Sequence, residues 1–294
     1  MSSIADPAIV AVTGATGRQG GAATRALIGA GRKVRALTRR PESPSARELA
    51  ALGADVVRCD LGDRESIRNA LQGASGLYLT TTPYESGVDE EERQAKSAID
   101  IAREAGIRHV VYGSVASADQ PTGVAHFESK GRIEEYLTTS GIPLTTVLRP
   151  TFFMDMFLDD AFRHAIARRS IEFVIRPETR IAMIAVDDIA AFAAHAFAHP
   201  DAIAGHVIDL AGDYPSMMEL ASVLSEALQQ EIVYRQVDES QLAADVRPKA
   251  GTQRWLEDVG WQVDPKALEG YGVPLTDLRE WAVSHREKLL SAAN

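Results

Sequence analysis

The chain has 294 residues, 45% of them hydrophobic and 24% charged, which is enough for one large or two modest cores and excludes a disordered chain. A formal net charge of −10 excludes general affinity for a nucleic-acid backbone, which needs a basic surface, so no direct nucleic-acid partner is expected. The one cysteine, Cys59, has no internal partner; no apolar run approaches the roughly 20 residues of a membrane span, and Met1–Pro7 lacks the basic and long apolar parts of a signal peptide. A cytoplasmic chain without membrane contact is expected.

In chain order, Ile9-Val10-Ala11-Val12 reads as a buried strand that runs into the turn Thr13-Gly14-Ala15-Thr16-Gly17-Arg18-Gln19-Gly20. The spacing Gly14-x-x-Gly17-x-x-Gly20 suits a dinucleotide pyrophosphate. The first glycine permits the tight turn, the second lets main-chain N–H groups approach the phosphates, and the third lets the following helix, roughly Gln19 to Gly29, pack on its strand. That helix also offers unpaired N–H groups and its positive dipole end to an anion.

Lys33–Thr38 reads as a second strand, followed by a proline-punctuated loop and a helix ending near Leu52-Gly53. A third strand at Asp55–Arg58, a helix around Ser66 to Leu71, a fourth strand at Gly76–Thr80 and a long helix from about Asp89 to Ala105 come next. Ala95, Ala98, Ile99, Ala102 and Ala105 give that helix an apolar face, and Arg108–Tyr112 makes a fifth strand. Regular alternation of strand and helix predicts a doubly wound, parallel Rossmann sheet of α/β class, with its ligand at the carboxyl ends of the strands.

Those ends supply the candidate contacts. After the second strand the chain places Arg39 and Arg40 and no carboxylate before Glu42, which favours the 2′-phosphate of NADP(H) over the free ribose of NAD(H), with Arg18 or Arg40 as helper. After the third, Asp60 is placed either beside the adenine amino group or as a cap of the next helix, and Leu61 against the adenine ring. After the fourth, Thr80, Thr81 and Thr82 would run beneath the nicotinamide-side ribose. The fifth strand leads into Ser114, and twelve residues on comes His126-Phe127-Glu128-Ser129-Lys130. A reductase of this architecture uses a hydroxyl to orient the carbonyl, a tyrosine to deliver the proton and a lysine four residues later, on the same helical face, to bind the ribose. Ser114 and Lys130 fill two of these places. His126 stands where the tyrosine is expected, and is either a general acid or a packed residue at the helix start.

The stretches Thr13–Gly20, Val34–Pro41, His126–Gly131, Gly141–Thr145 and Arg149–Asp155 together resemble the NmrA-like family of atypical short-chain dehydrogenase/reductases, and within it the HSCARG-like NADPH-sensor branch. The resemblance implies NADP(H) held by the glycine turn, by Arg39, by Lys130 and by the backbone from Phe152 to Asp155, and the absence of the usual Ser-Tyr-Lys chemistry. Asp155 departs from an asparagine frequent in the family, and an ionised carboxylate cannot donate. The resemblance further implies an NADP(H)-binding domain over residues 1–150 and a smaller, mostly helical α+β lobe over 151–294 that closes the cleft, the chain crossing between lobes more than once.

In that second half, Pro150 to Arg168 reads as one helix, with Phe152 and Phe153 placed to wall the site and Phe157 and Phe162 to pack. Glu172–Ile175 and Arg180–Ala185 read as strands. Asp187 and Asp188 open a helix whose dipole they answer. His195 and His199 lack a third ligand, so no metal is expected. After a strand at His206–Leu210, the segments Ser216–Gln230, Gly251–Gly260 and Thr276–Leu290 read as helices, and Trp255, Trp261, Tyr271 and Trp281 as either core or cleft lining.

Two functions remain open at this stage. One is a regulator that reports the redox state of NADP(H) to a protein partner, indicated by His126 in the tyrosine position. The other is an NADPH-dependent reductase of quinones or related small electrophiles, in which solvent protonates the reduced oxygen. Epimerisation or dehydration of a nucleotide sugar also fits the fold, but normally relies on the missing tyrosine.

Overall fold

In the computed structural model, which describes residues 8–241 and 250–291, the glycine turn sits at the centre of a seven-stranded sheet. Met1–Pro7, read above for a leader, lies outside the described residues. The first half runs β1 (Val10–Val12), α1 (Arg18–Gly29), β2 (Val34–Thr38), α2 (Pro44–Ala51), β3 (Asp55–Arg58), α3 (Arg64–Leu71), β4 (Gly76–Thr80), α4 (Val88–Glu104), β5 (His109–Gly113), α5 (Ala125–Thr138) and β6 (Leu144–Pro150). Then follow β7 (Phe152–Phe153), a 3-10 turn over Met154–Leu158, α6 (Asp160–Ala167), β8 (Ser170–Phe173), β9 (Met183–Ile184), α7 (Val186–Ala198), α8 (Pro200–Ile203) and β10 (Val207–Leu210). The last elements are α9 (Met217–Leu228), β11 (Val233–Gln236), α10 (Ala250–Asp258), α11 (Leu278–Ser284) and α12 (Arg286–Leu290).

The chain divides into two units. One comprises the residues up to Arg149 together with Ile189–Asp209, the other Pro150–Asp188 with the residues from Leu210 onward. In the first unit the sheet order is β10-β6-β5-β4-β1-β2-β3. Val10 stands opposite Val34 on one side and Gly76 on the other, both in parallel register. The order reverses between β1 and β4, which in a doubly wound sheet is the place for a ligand. Leu77, Leu79, Val110 and Tyr112 on the sheet meet Ile67 and Leu71 of α3, Ile99 of α4, and Ile133 and Leu137 of α5 in a continuous buried cluster. Each such aliphatic side chain contributes about 1.5–3 kcal/mol by leaving water. Local caps fix the helix starts: Ser43 accepts from the Ala46 N–H ahead of Pro44, and Asp63 from Glu65 and Ser66.

The second unit departs from the sequence reading in three places. Residues 150–168 are not one helix. The Phe152 N–H donates to the Ala182 carbonyl, which draws Phe152–Phe153 into a parallel pairing with β9, and Asp159 is extended (φ −70°, ψ 149°), so helix resumes only at Asp160. Of the strand expected over Arg180–Ala185, only Met183–Ile184 pairs, flanked by an isolated bridge from Arg180 to Ser216. The helical remainder also contains a strand, β11, parallel to β8. Its Val-Tyr-Arg-Gln sequence, exposed except for Tyr234, shows no alternation long enough to be read as one. Trp255, Trp261 and Trp281 are buried and therefore core, with Trp281 against Phe157 at a ring separation of 6.2 Å. Among the described residues no helix is long and apolar enough to cross a membrane.

Gly131 on α5 is the tightest approach in the first unit: a Cβ there would stand 2.0 Å from the Ala118 carbonyl oxygen. Gly131→Ala should therefore force the helix outward and cost about 1–3 kcal/mol, read as a lower urea midpoint at unchanged slope. An unchanged midpoint would mean that the loop carrying Ala118 yields freely.

Candidate functional site

The glycine turn is built by the backbone it frees. Gly14 has φ +57°, a conformation that L side chains seldom adopt, and its carbonyl accepts the Gly17 N–H at 2.8 Å. A Cβ on Gly20 would lie 2.4 Å from the Gly14 carbonyl oxygen, so this residue lets the first turn of α1 close onto β1. Gly17 caps α1 with no side-chain hydrogen bond, and no acidic residue stands in the first turn, so the N-terminal N–H groups keep their affinity for an anion. The turn is tied to the neighbouring strand by Thr13, whose hydroxyl accepts from the Thr80 N–H and donates to the Thr80 carbonyl, each at 2.8 Å.

Around this turn the first unit gathers most of the candidate residues. The hydroxyls of Thr16 and Thr38 lie 3.2 Å apart. The Gln19 amide donates to the Tyr78 hydroxyl (2.9 Å) and accepts from Thr80 Oγ1 (3.3 Å), so its side chain is used across the strand ends. Arg18 and Arg39 are exposed. Arg39, at the end of β2, pairs with Glu85 at 2.7 Å, an exposed contact worth at most about 1 kcal/mol. Asp60 does not cap α3, a role taken by Asp63. Its carboxylate accepts the Gly62 N–H in a local turn, and Leu61 packs half-buried on the core cluster.

The catalytic candidates resolve differently from their sequence reading. Ser114 donates its hydroxyl to Glu134 Oε1, and that carboxylate also accepts Arg149 Nε at 3.0 and 3.1 Å, while Asp119 takes Arg149 Nη1 at 3.1 Å. Its hydroxyl is thus part of a buried network with Glu134 and Arg149. His126 is half-buried, 4.7 Å between ring centroids from Phe127 and 6.2 Å from the exposed Tyr84. Burial, then the Lys130 charge, push its pKa below the ordinary histidine value, so at neutral pH it is an uncharged imidazole and not the proton-bearing acid.

Lys130 is buried, and its Nζ donates to Glu91 Oε1 at 2.8 Å and to the Thr81 carbonyl at 3.4 Å. The Thr81 hydroxyl donates to the same Glu91 oxygen at 2.9 Å, and Ser129 to Oε2 at 3.4 Å. The ammonium lies 5.5 Å from the centre of the Tyr112 ring, whose hydroxyl is buried without a hydrogen-bond partner. Burial works against the Lys130 charge, Tyr112 and Glu91 work for it, and the balance stands above the ordinary lysine value. Sequence reasoning missed Glu91 and Glu134. The sequence places Glu91 inside the run Asp89-Glu90-Glu91-Glu92, where only its register with the buried Ala95 and Ala98 of α4 marks it as facing inward.

Three further candidates belong to the second unit. Phe152 and Phe153 are half-buried, with Phe152 5.7 Å from the Phe157 ring, and Asp155 Oδ2 accepts the Val186 N–H at the start of α7. The carboxylate thus serves as an acceptor. Asp188 does more than answer the helix dipole: it is buried and accepts both the N–H and the hydroxyl of Thr276, each at 2.8 Å.

A family model described as the NmrA-like family matches residues 7–261. Quinone oxidoreductase 2 of Escherichia coli (strain K12) is 30% identical over 298 aligned residues, covering 94% of this chain and 98% of that protein. The NmrA-like family domain-containing oxidoreductase FrzB of Cladobotryum sp is 34% identical over 161 residues, 51% of this chain and 48% of FrzB, so the match spans about half the length of this fungal relative. Among solved structures, the Escherichia coli NADPH-dependent quinone oxidoreductase QOR2 complexed with NADPH superposes with a TM-score of 0.76 at 29% identity, covering 94% of this chain and 99% of that one.

Glu134→Ala should leave Arg149 buried beside Asp119 alone and cost about 3–5 kcal/mol in urea unfolding. A loss below about 1 kcal/mol would show that the Ser114–Glu134–Arg149 network carries no structural weight.

Proposed function

The chain belongs to the NmrA-like family, and we propose that it binds NADP(H) at the carboxyl ends of β1, β2 and β4 and uses it to reduce quinones or related small electrophiles. The observation that carries this reading is the pairing, in one unit, of a side-chain-free glycine turn with a buried ammonium, Lys130. Its substrate class is supported by the near full-length likeness to Quinone oxidoreductase 2. The cradle fits a pyrophosphate: Gly20 leaves no room for a Cβ, and the uncapped start of α1 offers N–H donors. Bound NADPH supplies a hydride. Arg39 exchanges Glu85 for the 2′-phosphate, and Asp60 and Leu61 border the adenine. Thr81 and Lys130 meet the nicotinamide-side ribose.

No side chain in this arrangement is required to donate the proton. His126 is uncharged at neutral pH and Ser114 is committed to Glu134, so the residues orient and hold, and solvent protonates the reduced quinone oxygen. Such a division suits an acceptor whose reduction needs positioning more than acid catalysis. The same absence of an acid favours a second reading, a sensor of the HSCARG-like kind that reports the NADP(H) state to a protein partner. That role needs different affinities for the two cofactor states, because equal affinity shifts nothing.

Steady-state oxidation of NADPH with a panel of quinones separates the two. Turnover that is lost in Lys130→Ala, with folding verified by circular dichroism, supports the reductase. Tight NADPH binding without turnover of any quinone would overturn it in favour of the sensor. For the cofactor itself, Arg39→Asp should weaken NADPH by about 10- to 100-fold, the value of one or two charge-assisted hydrogen bonds, and leave NADH nearly unchanged. Equal losses for both nucleotides would remove Arg39 from the 2′-phosphate.

A further inference from the structure

An acidic residue in the first turn of a helix ordinarily faces water and answers the dipole, as Asp89 and Glu90 do at the start of α4. Glu91 does not. It is 1% exposed, and a buried carboxylate costs several kcal/mol unless it is paired and hydrogen-bonded. Its partners come from two other elements: Lys130 Nζ (2.8 Å) and Ser129 Oγ (3.4 Å) from α5, and Thr81 Oγ1 (2.9 Å) from the loop after β4. Lys130 has three N–H donors. One goes to Glu91 and a second to the Thr81 carbonyl, and neither of these takes the third. That donor can turn to a ligand at the carboxyl ends of β4 and β5.

We propose that Glu91 is the positioning residue of the cofactor site, holding Lys130 as a fixed ammonium with one donor turned to the ribose hydroxyls; this rests on the reading that Lys130 meets the cofactor. The groups that face Lys130 are few. Tyr112 on β5 is pushed up to about 12 by burial, and Tyr84 in the loop after β4 is an exposed phenol, so both are uncharged through the neutral and mildly alkaline range. His126 on its own helix is lowered and likewise uncharged. Among the described residues Glu91 is thus the negative charge that compensates the buried ammonium. Without it, burial favours the neutral amine, which loses the charge that the ribose contact uses.

The test is the pH dependence of NADPH affinity, by fluorescence titration from about pH 7 to 9.5, above the second ionisation of the 2′-phosphate near 6. Affinity of the unmodified protein should stay within about threefold over this range, because Lys130 remains charged. Glu91→Gln keeps an acceptor for Lys130 and Thr81 but removes the charge, and its affinity should fall at least about tenfold as pH rises. Lys130→Met should bind weakly and show no such dependence. A Glu91→Gln profile as flat as that of the unmodified protein, with Lys130→Met weakened, overturns the role of Glu91 and leaves the lysine in place. Unchanged affinity in Lys130→Met overturns the reading beneath it. Should Glu91→Gln not fold, the nitrogen resonance of Lys130 in the unmodified protein decides the matter. Persistence of the ammonium beyond about pH 10 supports the proposal, and titration below about pH 9 overturns it.

Discussion

The ion pair between Lys130 and Glu91 is the constraint on which the geometry at the carboxyl ends of β4 and β5 depends. Both side chains are buried, and such a pair is weak evidence for stability, since desolvation of the two charges offsets most of their attraction. What the pair does well is fix a position. The carboxylate is also bonded to Thr81 and Ser129, so three donors from two elements converge on one side chain, and departure of the lysine would leave a buried charge unpaired.

A second buried pair completes the restraint on α5. Glu134 lies four residues beyond Lys130 and binds Arg149 of β6, so one helix is tied by a lysine to α4 and by a glutamate to the sheet. Between them Gly131 brings the helix to within contact of the Ala118 carbonyl, an approach that any side chain would block. The two ties and the close contact fix the helix in depth and in rotation. A lysine on such a helix has little freedom to search for its ligand, which lowers the ordering cost of binding.

The first half of the fold was legible because its rules are local. Gly14 and Gly20 are demanded by backbone conformation and contact, and the apolar repeat of α4 and the alternation of strand with helix follow from burial on two faces of a parallel sheet. The network behind the site was not legible, because it depends on which member of a polar run turns inward. Glu91 is one of four consecutive acidic residues, and Ser114 carries the same hydroxyl whether it meets a ligand or Glu134. Residues 150–168 misled for the opposite reason. The phenylalanines have helical spacing, but the backbone of Phe152 is claimed by Ala182, some thirty residues distant, and local propensity yields to that pairing.

The proton is where site and function meet. A side-chain acid at neutral pH needs a group that still carries its proton and can part with it. Here the two groups in the expected places are an uncharged imidazole, His126, and a serine hydroxyl that already donates to a carboxylate. The phenol nearest the lysine, Tyr112, is buried and pushed up to about 12, too weak an acid to give its proton readily. Burial is the leading cause for His126 and Tyr112, and for Ser114 it is the Glu134 carboxylate beside it. The arrangement invests its electrostatics in holding a cation still rather than in moving a proton, which suits an acceptor that takes its proton from water.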